Sequence, residues 1–456
     1  MSTARTIRGG APVGGEVGVS GFKHVMVLAL AYLIGARGRA TLGNVPDILE
    51  TAVYGPLVRD LGVDVEVRGH DLRLDATAEL RGTLPAAAAE IHGSLYLLPA
   101  LLARTGCVRF DSTFGGCRIG PGHTGERPWR HVVDVLGRFG ARLVKSGADY
   151  ELRTDHLVGT TIDLRDYTVD RATLTGPEYS GASKAAILAA ALAEGTTLLR
   201  YPYLKAEVLS LLELLRADGV GVRYDGTTLS VHGRTERSTL SEYRLPPDLL
   251  EVVTWVTVAA VTAGTVSLSG VSARDVEDGL GPELRLWKAV GVEVTGGDNH
   301  VMAATATKTL SELPDITTLP NSVYSDSQPL FAVLATRCAG DSRIVDTVWT
   351  RRYSYVPGLT QLGGRVRQDS TGITIGASSL RADRVGVDVH ATDLRCAAAL
   401  VTAALASSGG PVTVHGTHHL ERGYDHLFDK LTACGAVTLP APSNLEGTDA
   451  KPTQSR

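Results

Sequence analysis

The sequence predicts an α/β (α+β) protein made of two similar domains, each with three copies of one unit. Three observations carry that reading. First, a glycine recurs at the end of an amphipathic helix and is followed by an alternating strand. The copies are LGVDVEV at Gly62, FGARLVK at Gly140, DGVGVRY at Gly219, VGVEVTG at Gly291, LGGRVRQ at Gly363 and CGAVTLP at Gly435, spaced by 78, 79, 72, 72 and 72 residues. Second, small-residue apolar helices lead into short strands between those copies. Third, units of about 70 residues are too large for a solenoid of short repeats, and 456 residues suit three plus three better.

Each element has a local reason. The recurring Gly stands where a helix C-cap is expected, because glycine takes the left-handed conformation at no steric cost. The helices of AAILAAALAEGTTLLRY, VVTWVTVAAVTAGTVSLSG and AAALVTAALASSGGPVTVHG are apolar nearly all round. Such helices belong inside a domain, not on its surface. Val25 to Ala36 is too short to span a bilayer and begins after a Gly-rich, strand-like stretch, so a buried helix is expected there. The polar, Pro-containing residues 441–456 are expected to form a disordered tail.

Composition narrows the function. Net charge is −4, no Lys or Arg run stands out, and aromatics are 5%, so neither a nucleic-acid surface nor a base-stacking platform is indicated. Cys107, Cys117, Cys338, Cys396 and Cys434 are scattered and lack CxxC spacing. They fit a reducing cytosol better than a disulfide framework or a zinc site.

Two features carry chemistry. Several apolar helices follow a polar signature: SGFKH at Ser20–His24, EYSGASK at Glu178–Lys184, YSDSQP at Tyr324–Pro329 and ATDLR at Ala391–Arg395. Ser and Asp there are expected N-caps. An ordinary cap explains any one of them. Their repetition in both halves, with Lys23 and Arg395 in first turns, favours helix starts converging on an anionic substrate. The second feature is STFGGCRIGPGHTGERPWRH, residues 112–131, with five glycines, two prolines and three arginines. That stretch reads as a long loop over an anionic site. Arg118, Arg127 and Arg130 would lower the thiol pKa of Cys117. Both an inert and a reactive role stay open for that thiol; the other four cysteines are expected to be packing residues.

On these residues the chain resembles the enolpyruvyl transferases, and among them UDP-N-acetylglucosamine enolpyruvyl transferase of cell-wall synthesis. The matching segments are GGEVGVSGFKH, GGCRIG, RPW, SDSQPLF, YVPGLTQLGG, ATDLRCAAALV and ERGYDHLFDKL, and the similarity runs over almost all of residues 5–438. EPSP synthase has the same fold without the loop cysteine. The resemblance implies a two-domain inverted α/β barrel, with six repeats of a βαβαββ-type unit and the active site in the cleft. It implies one domain at 22–236 and a second made of 1–21 with 237–440. It also implies roles. Lys23, Arg127 and Arg395 would hold the phosphate and carboxylate of phosphoenolpyruvate. Cys117 would protonate its C3 and would be the target of fosfomycin. Asp326 would take the acceptor hydroxyl's proton. Arg352 and Glu207 match cleft positions, and Ser180 and Gly181 fall in the diphosphate-binding segment. No metal or organic cofactor is implied.

The chain also departs from that pattern. A Lys-Asn pair becomes Lys23-His24, an arginine before the loop falls at His92, and the loop is longer through PGHTGE. The aspartate that contacts uracil becomes Arg130, a lysine of the diphosphate segment falls at Pro177, and Tyr179 replaces a small residue. The phosphoenolpyruvate residues are kept while the acceptor residues change. That pattern resembles the divergent enolpyruvyl transferases of nikkomycin- and polyoxin-type nucleoside antibiotic pathways, which act on the 3′-hydroxyl of UMP, and Arg130 would favour an exposed nucleotide phosphate. A uridine nucleotide is therefore the expected partner of phosphoenolpyruvate. A cell-wall enzyme and a non-catalytic nucleotide-binding paralogue are the alternatives.

Overall fold

A computed structural model describes residues 4–111, 113–114, 129–147, 149–234, 236–305 and 310–441. Cys117, Arg118 and Arg127, and the expected tail beyond Ala441, lie outside the described residues. Twelve α-helices run through the rest: α1 (Lys23–Gly35), α2 (Leu49–Asp60), α3 (Leu97–Thr105), α4 (Arg130–Arg138), α5 (Tyr179–Leu192), α6 (Ala206–Ala217), α7 (Leu249–Thr262), α8 (Ala273–Val290), α9 (Gln328–Arg337), α10 (Val356–Gln361), α11 (Leu394–Ala406) and α12 (Leu427–Ala433).

Each sequence copy becomes one small sheet with two helices. In the third copy, α5 leads into Thr196–Arg200, α6 ends at Gly219, and the hairpin Gly221–Tyr224 with Thr228–His232 returns to pair with Thr196–Arg200. A further strand, Thr161–Asp163, lies parallel to Thr196–Arg200 at the sheet edge. Four other copies repeat this four-strand order; the second has three strands, with a single parallel bridge from Thr83 to Arg109 where the edge strand would be. All six repeat glycines have φ between +83° and +102°. An L side chain there would cost about 1–2 kcal/mol, which is why glycine recurs.

The chain termini explain how the copies interlock. Ala4–Arg8 pairs antiparallel with both Val412–His415 and Val437–Pro440 and completes the sixth sheet. Gly15–Gly18 lies parallel to Thr265–Ser269 in the fourth. The return crossing differs from the expected boundary at residue 236. Glu242–Arg244 runs parallel to Arg39–Gly43 in the first sheet, so the chain leaves that half only between Arg244 and the start of α7. The two crossing segments run side by side: Gly21 bridges Pro247 antiparallel, Phe22 N–H donates to the Pro246 carbonyl at 2.8 Å, and Asp248 N–H donates to the Ser20 carbonyl at 2.8 Å.

Two helix trios form the cores. α1, α3 and α5 pack on one another in the first half, and α7, α9 and α11 in the second. Every residue of α1 from Val25 to Gly35 is buried, as are nearly all of α5, α7 and α11. A Cβ on Gly35 would overlap Leu192 of α5 and press on Ala100 of α3, so small residues set how closely these helices approach. Among the described residues no helix is long and apolar enough to cross a membrane.

Candidate active site

The starts of α1, α5, α6 and α11, with the segments just before α3 and α9, meet in one cleft between the halves. Lys23, His24, His92, Ser180, Gly181 and Glu207 line it from one side, and Asp326, Arg352 and Arg395 from the other. Arg130 is not among the lining residues. It is exposed on the first turn of α4, with its guanidinium 5.0 Å from the centre of the Trp129 ring.

The expected caps are mostly absent. Only Asp393 caps its helix, accepting from the backbone N–H of Arg395 and Cys396 at 3.0 Å each. α1, α5 and α9 begin at Phe22, Glu178 and Ser327 with no side-chain cap bond. Ser20 is committed elsewhere: its N–H and Oγ both donate to Glu251 Oε2, at 2.9 and 2.5 Å. The starts of α1, α5 and α9 therefore present uncapped N–H groups near the cleft, where partial positive charge favours an anion.

Asp326 is the electrostatic centre of the second-half wall. Its Oδ1 lies 2.6 Å from Arg352 Nη1 and 3.5 Å from Arg395 Nε. Burial would push this carboxyl up, but the guanidinium of Arg352, and then that of Arg395, outweigh it and hold Asp326 well below the ordinary carboxylate range. Arg395 Nη1 donates to Tyr424 Oη at 3.0 Å, and that hydroxyl is in turn 2.7 Å from Thr254 Oγ1. Arg352 Nη1 also reaches Ser325 Oγ at 3.3 Å, and Ser325 donates to Asp346 at 2.6 Å. Among the described residues, the Nε atoms of Arg352 and Arg395 are buried without a hydrogen-bond partner. Two buried guanidinium N–H groups left unpaired cost about 1–3 kcal/mol each, a cost that an oxyanion in the cleft would relieve.

The first-half wall is more balanced. Lys184 Nζ pairs with Glu207 Oε1 at 2.8 Å, and Tyr324 Oη donates to Glu207 Oε2 at 3.3 Å. Burial opposes both charges, yet the pair holds Glu207 below its usual value and Lys184 above. Burial, then the Lys23 and Lys184 ammoniums, push His24 down to about 3. His24 is therefore a neutral imidazole at working pH and adds no cation. His92 packs edge-on to Tyr96, with ring centres 5.7 Å apart. Gly181 lies against His131: a Cβ there would overlap His131 Nε2.

Lys184, Lys205, His131, Tyr203, Tyr324 and Trp349 also line the cleft, and the sequence reading did not single them out. Lys184 carried a signal, as a lone charge near the start of an otherwise apolar helix. Lys205 sits two positions before Glu207 in YLKAE, a polar break between strand and helix. Cys107 is not simply a packing residue, since its thiol donates to Glu151 at 2.9 Å. Cys338, Cys396 and Cys434 are buried.

Comparison with known proteins agrees with this geometry. The family model for EPSP synthase (3-phosphoshikimate 1-carboxyvinyltransferase) matches residues 7–431. UDP-N-acetylglucosamine 1-carboxyvinyltransferase 3 of Symbiobacterium thermophilum is 32% identical over 444 residues, covering 96% of this chain and 97% of the relative. The Chloroherpeton thalassium UDP-N-acetylglucosamine 1-carboxyvinyltransferase is 31% identical, covering 94% and 95%. The crystal structure of the enolpyruvyl transferase NikO from Streptomyces tendae superposes with a TM-score of 0.87 at 37% identity, covering 96% of this chain and 98% of that one. An EPSP synthase structure from Acinetobacter baumannii shares the fold, with a TM-score of 0.71 at 18% identity, covering 96% and 99%. The two-domain inverted α/β barrel, the cleft between its halves and these matches agree: the chain belongs to the EPSP synthase (3-phosphoshikimate 1-carboxyvinyltransferase) family and is an enolpyruvyl transferase.

Proposed function

We propose that this enzyme transfers the enolpyruvyl group of phosphoenolpyruvate to the 3′-hydroxyl of UMP and releases phosphate. One observation carries the choice of acceptor. The cations Lys23, Arg352 and Arg395 line the cleft with the acceptor-base candidate Asp326, while His24, His92, Pro177 and Tyr179 line it in place of the sugar-nucleotide pattern. The likeness to the enolpyruvyl transferase NikO supports the enolpyruvyl transfer in this reading.

In this proposal Lys23, Arg395 and Arg352 hold the phosphate and carboxylate of phosphoenolpyruvate, with Arg127 joining them from the loop. Asp326 begins in the grip of two guanidiniums, where it is a weak base. Phosphoenolpyruvate oxygens compete for those guanidiniums, and each one taken restores basicity to Asp326. Asp326 then accepts the proton of the acceptor hydroxyl as its oxygen bonds to C2. Cys117 delivers a proton to C3, and a tetrahedral ketal results. Loss of a C3 proton with cleavage of the C2–O bond to phosphate gives the enol ether, and neither step needs a metal. His24, His92, Ser180, Gly181 and Glu207 shape the acceptor side. Domains divided near residues 21 and 245 supply the two walls.

The test is phosphate release from phosphoenolpyruvate with UMP or with UDP-N-acetylglucosamine. Faster release with UMP is expected. Faster release with the sugar nucleotide would return the enzyme to the cell-wall reaction, the reading that the 31–32% identical relatives favour.

A further inference from the structure

Two ammonium groups in the cleft form no ion pair with a carboxylate among the described residues. Lys23 donates to the Arg422 carbonyl at 3.4 Å, and Lys205 donates to the Ser322 carbonyl at 2.8 Å. Of the other cations, Lys184 pairs with Glu207, and Arg352 and Arg395 share the one carboxylate of Asp326. Lys205 is not short of acidic neighbours; Glu283, Glu207, Asp326 and Asp346 all act on it. None of them forms an ion pair with Lys205 among the described residues. Glu283 accepts on Oε1 from Tyr324 N–H at 2.8 Å and Ser327 Oγ at 3.1 Å, while its buried Oε2 has no hydrogen-bond partner among the described residues; Glu207 takes Lys184, Asp326 takes Arg352, and Asp346 accepts from Ser325 Oγ at 2.6 Å.

Lys205 is also held in place. Its Nζ lies 3.9 Å from the centre of the Tyr324 ring, and Tyr324 Oη accepts from Ala206 N–H at 3.1 Å. An ammonium has three donors. One goes to Ser322, and the tyrosine face covers a second side, which leaves a direction for an anion. Two ammoniums without carboxylate partners face a reaction with two anionic substrates. Lys23 is already assigned to phosphoenolpyruvate.

We infer that Lys205 is the specificity-determining contact for the phosphate of the acceptor nucleotide. The inference rests on the nucleotide-acceptor reading above and moves the phosphate site from Arg130 on α4 to the start of α6. A terminal phosphate dianion suits a compact point charge held on one wall.

The experiment measures KM for UMP and for phosphoenolpyruvate in the wild type, Lys205→Met, Lys205→Arg and Arg130→Ala. A lost charge-assisted contact predicts a rise in the UMP KM of about 10- to 100-fold in K205M. The KM for phosphoenolpyruvate should shift by less than about threefold, and K205R should recover most of the loss because the charge is restored. An unchanged UMP KM, or equal rises for both substrates, overturns the inference and leaves the UMP reading standing. A UMP effect in R130A alone also overturns it. If the wild type prefers UDP-N-acetylglucosamine, the UMP reading falls, and the same variants judge the phosphate contact with that nucleotide. A selective rise in its KM keeps Lys205 as the contact; no rise removes it.

Discussion

Arg352 Nη1 lies 2.6 Å from Oδ1 of Asp326, so the proposed base is clamped by a cation proposed to grip substrate. Asp326→Asn breaks that arrangement without changing shape. It should lower kcat by about 10²- to 10⁴-fold, the usual contribution of a positioned proton acceptor. The KM for phosphoenolpyruvate should stay level or fall, because Asn competes less for the guanidiniums. Steady-state phosphate release checks both numbers.

The Lys184–Glu207 pair is buried on both sides and spans 2.8 Å. Removing one partner strands the other charge. Glu207→Gln should destabilise the fold by about 3–5 kcal/mol, and Glu207→Gln with Lys184→Met should recover much of it. Urea unfolding with an unchanged m-value is the measurement. Because Glu207 is held below its usual 4.5, its contribution is present above pH 4.5 and is lost as pH falls through the lower folded value.

Lys205 sets an alkaline limit on acceptor binding. Burial, only partly offset by Glu283, Glu207, Asp326 and Asp346, brings its ammonium down to about 8. It is therefore charged below about pH 8 and neutral above. The second ionisation of a phosphate monoester lies near 6, so both partners are charged between roughly pH 6 and that limit. The kcat/KM for UMP should decline above about pH 8, and the decline should move upward in K205R and vanish in K205M. A pH profile that keeps the same limb in K205M would assign it to another group.

A Cβ on Gly181 would overlap His131 Nε2, so the imidazole would have to shift. Gly181→Ala should cost about 1–3 kcal/mol of stability through overpacking, despite the better helix propensity of alanine. It should also raise the acceptor KM, since Ser180 and Gly181 line the cleft. Adding His131→Ala should restore stability, read by thermal unfolding.

Fosfomycin should alkylate Cys117 in preference to the other cysteines. Burial pushes Cys338 up to about 12 and Cys396 up to about 11, and raises Cys107 and Cys434 as well, so their thiolates are scarce. Peptide mass spectrometry after incubation should find the adduct on Cys117, and Cys117→Ala should remove it. An adduct on Cys338 instead would contradict this.

Much of the fold could be read residue by residue. The six glycines from Gly62 to Gly435 all take positive φ because a helix stop followed by a strand imposes that conformation locally. The apolar α1, α5, α7 and α11 are buried because no face of them can tolerate water. The candidate residues Lys23, Asp326 and Arg395 were visible through the motifs they sit in and Arg352 through the family resemblance, and the structure places all four on one cleft.

What escaped was set by partners far away in the chain. Glu242–Arg244 falls in the second domain by the expected boundary at 236, yet it pairs with Arg39–Gly43 of the first sheet. Ser20 reads as a cap until Glu251 takes its hydroxyl. Arg130 reads as a cleft cation until the orientation of α4 leaves it exposed. Lys184 and Lys205 look alike as lysines beside helix starts, yet one is neutralised by Glu207 and the other reaches Ser322, 117 positions away. Turns, caps and apolar periodicity are short-range properties, so the sequence by itself determined the repeated unit, the buried helices and the family's anion-binding motifs. Ion pairing depends on the separation of charges brought together from distant parts of the chain, so only the tertiary structure decided which cations of the cleft lie within reach of a carboxylate and which do not.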